Sequence, residues 1–354
     1  MVRALLLLAF AFPVAAQESL EGRARALLEA RVASRSTVGI VAGLVAPDGL
    51  VTVISAGRSG NEARQAVDGL TLFEIGSITK VFTATLLAQQ VERGRLTLAT
   101  TVREAVPGIR AWKSPGVGDV TLGSLASHTS GLPRLPRDWR FFAGMVLNRA
   151  DPYAGYTPDR LLDYASTAGG PGPGPHPVAY SNYGAGLLGE VLARREGLAW
   201  AALARRDILA PLAMGRTGTT TAGTDAALLA RGHKEDLDPT GYWSLPGLAG
   251  AGALRSNVEE LAKFLVAHRD GTLPGSRLTQ QVRAKADKGS SPGLGWFIRP
   301  SGAGRILWHN GGTGGFRSFA GVHEGSKTGV IVLSNSANDV DEIGMALLEA
   351  SATP

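Results

Sequence analysis

Strand-forming composition sits at the two ends of this 354-residue chain and is absent between them. Val38 to Val45 is a β-branched apolar run, Pro47-Asp48-Gly49 reads as a turn, and Leu50 to Ser55 resumes the strand composition, which predicts a hairpin. The next such runs come only in the last quarter: Gly295 to Arg299, Arg305 to His309, Phe316 to Val322 and Gly329 to Ser334, separated by glycine-rich turns. Strands need strands as partners. One sheet must therefore be assembled from both chain ends, with the middle of the chain inserted as helices and proline-rich turns. The expected class is α+β: an antiparallel sheet from residues 17–70 and 290–354, flanked by helices, and a mainly helical domain from 71–289, with the active site between them.

The flanks fit that plan. Glu18 to Ala33 and Asp339 to Ala350 carry apolar residues at helical spacing. Ahead of them, Arg3, the apolar run Ala4 to Val14 and the small residues Val14-Ala15-Ala16 read as an export signal, giving a mature chain that starts near Gln17 in a periplasmic or secreted protein. The apolar run is too short for a stable span. With no cysteine, disulfides, thiolate catalysis and an N-terminal lipid anchor on cysteine are excluded, so packing has to supply stability. The formal charge of +6 is modest and no long basic run occurs, which argues against nucleic-acid binding. No cofactor and no metal set is expected, because histidine–histidine and histidine–carboxylate spacings suited to a metal are missing. The chain is expected to act as a monomer.

Within the insertion, Phe73-Glu74-Ile75-Gly76-Ser77-Ile78-Thr79-Lys80 places a serine in the first turn of an apolar helix, closed by Gly94, with a lysine three residues on. Positions i and i+3 share a helix face, so the amine can reach the hydroxyl. The helix is apolar almost all round, through Val81, Phe82, Leu86, Leu87 and Val91, and so predicts a buried Lys80. Burial lowers a lysine pKa and suits the amine to act as a base. Alone, Ser-x-x-Lys is a weak signal, equally read as a helix cap beside a surface lysine.

Thr121 to His128 reads as a short helix, and His128 as a structural hydrogen-bonding residue. Gly169 to Pro177 must be an irregular loop, leading into Tyr180-Ser181-Asn182 and a helix from Gly184 to Arg195. Ser256-Asn257-Val258-Glu259 predicts a capping box at the head of a helix ending near His268.

Ser77-x-x-Lys80, Tyr180-Ser181-Asn182 and His309-Asn310-Gly311-Gly312, in that order, resemble the three signatures of the penicillin-recognising serine enzymes, and the tyrosine form of the second resembles class C β-lactamases with their D,D-peptidase and esterase relatives. Ser127-His128-Thr129-Ser130-Gly131-Leu132-Pro133, Gly252-Ala253-Leu254-Arg255-Ser256 and Gly293-Leu294-Gly295-Trp296 extend the likeness over nearly the whole chain. The resemblance implies a β-lactamase/transpeptidase-like fold and a covalent acyl-enzyme on Ser77, with Lys80 and Tyr180 moving protons. Asn182, two residues along an extended segment from Tyr180, would bond Lys80 and the substrate amide. His309 would end a strand and help hold the substrate, Gly311 and Gly312 would let it lie against the backbone, and the N–H groups of Ser77 and Gly312 would form the oxyanion hole. Histidine replaces the lysine of the best-known β-lactamase pattern, so a substrate carboxylate would be held there only below the ordinary histidine value of about 6.5. The expected substrate is a small β-lactam or a peptidoglycan-derived peptide. A short-chain carboxylesterase, or a penicillin-binding sensor that acylates with little turnover, is the alternative.

Overall fold

The computed structural model describes residues 19–109, 112–220, 223–286, 289–302 and 304–352. The expected export segment lies outside these.

Helix α1 (Leu20–Ala33) begins where the Ser19 hydroxyl accepts the Gly22 N–H at 3.1 Å. Strands β1 (Gly39–Val45) and β2 (Val51–Gly57) pair antiparallel as the expected hairpin. A two-residue strand β3 (Phe73–Glu74) leads into helix α2 (Thr79–Glu92), and it pairs with an equally short β4 (Arg255–Ser256). Neither was expected, because two residues carry no periodicity. The insertion continues through α3 (Val102–Ala105), α4 (Leu122–Ala126), α5 (Trp139–Leu147), α6 (Pro158–Thr167), α7 (Asn182–Glu196), α8 (Trp200–Ala204), α9 (Ala249–Gly252), α10 (Val258–Asp270) and α11 (Ser276–Thr279). Strands β5 (Ser291–Pro292), β6 (Phe297–Ser301), β7 (Gly304–Gly312), β8 (Arg317–His323) and β9 (Thr328–Ser334) follow, and α12 (Asp341–Ser351) closes the chain.

The seven-stranded sheet runs β2-β1-β9-β8-β7-β6-β5, antiparallel throughout. The β1–β9 pairing, Ile40 opposite Ser334 through Val45 opposite Gly329, is the seam that joins the two chain ends. Alternation divides β1 between two cores. Ile40, Ala42 and Leu44 face α1 and α12 through Ala24, Leu28 and Leu347. Val41 and Val45 face the opposite way, into a core continuous with Phe82, Leu187 and Leu261 of the helices. Helix α10, from the span expected to be mainly helical, packs on this second face: a β-carbon on Gly43 would meet Val258 Cγ1 at 2.4 Å.

Two boundaries differ informatively from expectation. The cap of α10 is Asn257, whose side chain accepts the Glu260 N–H at 2.8 Å, so Ser256 is left free to pair in β4. Strand β7 does not stop at His309 but runs on to Gly312, paired opposite Arg317. The glycines that looked like a loop are still in register, because small residues satisfy a ladder as well as large ones. No helix among the described residues is long and apolar enough to cross a membrane.

Candidate active site

Ser77 sits in a 3-10 turn, Gly76–Ile78, between β3 and α2. The turn is anchored on both sides: the Ile75 N–H donates to Leu254 O at 3.0 Å, and Ser318 Oγ of β8 donates to Ile75 O at 2.8 Å. Gly76 has φ +49°, and a β-carbon there would lie 2.6 Å from the Gly312 nitrogen. At Gly311 a β-carbon would come within 2.0 Å of Ile75 O. These two glycines are what bring the end of β7 against the backbone of the serine turn. The N–H groups of Ser77 and Gly312 thereby belong to adjoining backbone segments at one cleft.

Every residue of α2 from Thr79 to Gln90 is buried, Lys80 included at 3 % exposure. Lys80 Nζ donates to Ser77 Oγ at 2.8 Å and to Ala251 O of α9 at 2.7 Å. Burial, and secondarily the Arg134 guanidinium, hold its pKa well below the ordinary lysine value. A neutral amine in this position can keep its N–H on Ala251 and offer its lone pair to the serine.

The Tyr180 segment is cradled by the turn after α4. The Ser181 N–H donates to His128 Nδ1 at 3.2 Å, Ser181 Oγ donates to Pro133 O at 2.7 Å, and the Asn182 and Tyr183 N–H groups both donate to Arg134 O. His128 is thus the structural hydrogen-bonding residue expected, although it stands beyond α4 at φ +58° and packs its ring at a tilt against Tyr180 with centroids 4.5 Å apart. Lys80 Nζ lies 4.8 Å, and Arg134 Cζ 5.1 Å, from the Tyr180 ring centroid. Burial pushes the phenol up to about 12, the Ser77 hydroxyl and Arg134 pulling only partly the other way. Tyr180 is therefore a protonated phenol at neutral pH. A phenolate would need several cationic neighbours, and among Lys80, His128, His309 and Arg134 the first three are biased to their neutral forms by burial.

Two expectations are corrected. Asn182 is not on an extended segment: it is the first residue of α7, Ser181 serving as cap, and its Oδ1 is buried without a partner. The Lys80 bond assigned to Asn182 goes to Ala251 O instead. His309 is fully buried inside β7 against Phe297 and Tyr180. Burial first, then Lys80, bring its pKa down to about 3, and its Nδ1 is spent on Asn310 O at 2.5 Å. Burial therefore disfavours an imidazolium at this position near pH 6.5.

The cleft of about 530 Å³ above Ser77 is lined by Tyr180, Asn182, Phe297, Gly311 and Gly312. Asn310 of the third motif lines it as well, and residues the sequence did not single out complete it: Arg134, Tyr153 and Trp243 on the helical side, and Arg317, Asp339 and Asp341 at the sheet end. The Trp243 wall is fixed through its backbone N–H, which donates to buried Glu74 at 2.8 Å. Asn310 Nδ2 donates to Asp341, whose pKa is raised to about 6 by burial and then by Asp339. Arg317 is committed to the Thr313 and Phe316 carbonyls at 2.9 and 3.0 Å. Arg134 is exposed at the mouth.

Comparison with known proteins agrees with this arrangement. The sequence model of the Beta-lactamase family matches residues 24–353. Penicillin-binding protein 4 of Amycolatopsis lactamdurans is 28% identical over 314 residues, covering 81% of this chain and 78% of that protein. The D-alanyl-D-alanine-carboxypeptidase/endopeptidase AmpH of Escherichia coli (strain K12) is 28% identical over 301 residues, covering 78% and 73%. Among solved structures, a class C β-lactamase from Rhodobacter sphaeroides superposes with a TM-score of 0.75 at 24% identity, covering 93% of this chain and 98% of that one. Its likeness is one of fold.

Proposed function

This chain belongs to the Beta-lactamase family, and from that premise we propose that it is an exported serine hydrolase that opens β-lactam or D-alanyl-D-alanine-type amide bonds through an acyl-Ser77 intermediate. The observation that carries the proposal is the 2.8 Å contact between Ser77 Oγ and a buried Lys80 whose amine is biased to its neutral form. Ser77 Oγ attacks the carbonyl carbon as its proton passes to Lys80 Nζ. The resulting oxyanion is met by the N–H groups of Ser77 and Gly312, two donors of a kind commonly worth about 10²-fold or more each. The C–N bond then breaks as Tyr180 Oη gives its proton to the leaving nitrogen, and Lys80 returns a proton to Tyr180. Water, deprotonated by the same groups, releases the acid. Asn182 lines the cleft with its buried Oδ1 unpartnered, which supports a role in holding the amide of the substrate side chain.

A second reading is favoured by one observation: the end of β7 at the cleft offers no fixed cation, since His309 is enclosed and burial biases it to its neutral form. A neutral ester loses nothing by that, whereas a substrate carboxylate has to be held elsewhere, and Arg134 at the mouth is the group with a free guanidinium face to do it.

The test is covalent labelling with a fluorescent penicillin, followed by digestion and by intact mass of the exported protein. The label is expected on the Ser77 peptide of a chain starting near Gln17, and label that persists in Ser77→Ala overturns the assignment. Turnover of nitrocefin against p-nitrophenyl acetate then ranks amide against ester.

A further inference from the structure

Among the described residues, four of the seven exposed large apolar side chains lie on the nine residues of α5: Trp139 at 73 %, Phe142 at 48 %, Val146 at 70 % and Leu147 at 85 %. The positions decide how they are presented. Trp139, Phe142 and Val146 follow the i, i+3, i+7 spacing of a single helix stripe, with Leu147 at its edge. Phe141, on the opposite side, is buried against Tyr153 and Tyr156 with ring centroids 5.6 and 5.0 Å away. The helix is therefore held by its inner face while an aromatic and aliphatic outer face meets water. A patch of this kind on an otherwise ordinary surface marks an interaction site.

Its surroundings select the partner. Arg134, Arg137, Arg140 and Arg149 are all exposed around the stripe, and Arg140 reaches over the Trp139 ring at 5.7 Å. The acidic residues within the same stretch are turned to internal tasks: Asp138 caps α5 by accepting the Arg140 N–H at 3.0 Å, and Asp151 accepts the Ser244 N–H at 3.1 Å. Tryptophan, phenylalanine and aliphatic residues ringed by arginine fit the boundary between acyl chains and anionic headgroups. A helix of about 14 Å cannot span a bilayer and has to lie in its surface.

We propose that α5 is a docking helix that seats the protein on an anionic lipid bilayer. The consequence for the enzyme follows from the packing beneath it. Tyr153, against which α5 rests, meets Trp243 in a tilted ring contact with centroids 4.9 Å apart, and both line the cleft. Docking through α5 would hold the cleft mouth at the membrane surface, where substrates attached to lipid are presented.

The experiment is sedimentation of the full chain with vesicles of phosphatidylcholine alone or with 30 mol % phosphatidylglycerol, at low and at high salt. Partitioning onto anionic vesicles is expected to exceed that onto neutral ones by about fivefold and to fall with salt. The double substitution Trp139→Ser, Val146→Asn should reduce it by about tenfold, while hydrolysis of a soluble ester and the far-ultraviolet dichroism stay as in the parent. Arg137→Glu, Arg140→Glu should remove the anionic preference alone. Parent and double variant sedimenting equally, or a parent that binds neither vesicle, overturns the proposal. A concentration-dependent dimer that dissolves in the double variant, with no vesicle binding, assigns the face to a second copy of the chain and overturns it as well.

Discussion

The inner and outer ends of the cleft hold titratable groups under opposite conditions. Inside, Lys80, His128 and His309 are buried and all three are pushed toward their uncharged forms. Outside, Arg134 meets water, and Arg317, Asp339 and Asp341 form a mixed-charge rim at the end of β7. A nucleophile and its base gain from dry surroundings, where a proton moves between neighbours without a solvent shell to rebuild. Selection of a substrate by its charge needs the reverse, charges that remain charged. The histidine in β7 belongs to the first group by environment, although its position in the sequence suggested the second.

The largest expected effect breaks the inner end. Lys80→Ala should lower acylation by about 10⁴-fold, the upper range for loss of a general base, and Tyr180→Phe by about 10²- to 10³-fold. The Lys80→Ala loss should be the same for penicillin and for p-nitrophenyl acetate, because both need the serine deprotonated, whereas the Tyr180→Phe loss should be smaller for the ester, whose p-nitrophenolate leaves without a proton. The sign of the pH dependence follows from the lysine: its folded pKa is depressed, so the active neutral amine is lost as pH falls through that value, and the acid limb of kcat reports it. A Lys80→Ala protein that keeps its activity, or losses that depend on substrate charge, would blur the division between the two ends.

That division also explains what was legible before the structure. The sheet from both chain ends, the buried α2 and the serine–lysine pair follow from local patterns, apolar period and i, i+3 spacing, and the structure reproduces them. Ala251 O as the second partner of Lys80 left no trace, because a backbone carbonyl has no sequence identity. Arg134 looked like any surface arginine, and only its place above Tyr180 distinguishes it. The misreading of His309 has the same root: the residue type was visible, its enclosure by Phe297 and the β7 register was not. Asn182 failed for a different reason, that its helix starts two residues earlier than the first glycine suggested.

At the rim the next largest effect belongs to Arg134. If it holds a substrate carboxylate, Arg134→Ala should lower the ratio of kcat/KM for benzylpenicillin over p-nitrophenyl acetate by about tenfold, the low end for a charged hydrogen bond because the site is wet. Arg134→Lys should restore part of the ratio. The same β-lactam with its carboxylate esterified, run alongside, removes any effect of the guanidinium on Tyr180, because it keeps the leaving nitrogen and lacks only the charge. A ratio that does not move places the carboxylate elsewhere.

The smallest effect sharpens the comparison most, since it asks which end of the cleft senses pH. Asp341 has a folded pKa raised to about 6, by burial and then by Asp339, while Asn310 and Arg317 pull it down. A raised carboxyl keeps its proton longer in the folded state, so its share of stability is present at low pH and is lost as pH rises through about 6. In the cleft the same titration adds a negative charge above pH 6, and KM for an anionic substrate should rise by about threefold there, the scale of one partly screened charge a few ångströms away. KM for a neutral ester should stay level. The trend has the direction expected of an exposed His309, but it is assigned to Asp341, because burial holds the histidine well below its ordinary value, at about 3. Asp341→Asn should therefore flatten the profile between pH 5 and 8 and leave anionic affinity at its low-pH value. KM measured for both substrates across that range decides it: a profile that survives Asp341→Asn would return the sensor to the buried end of the cleft and undo the contrast between a neutral interior and a charged rim.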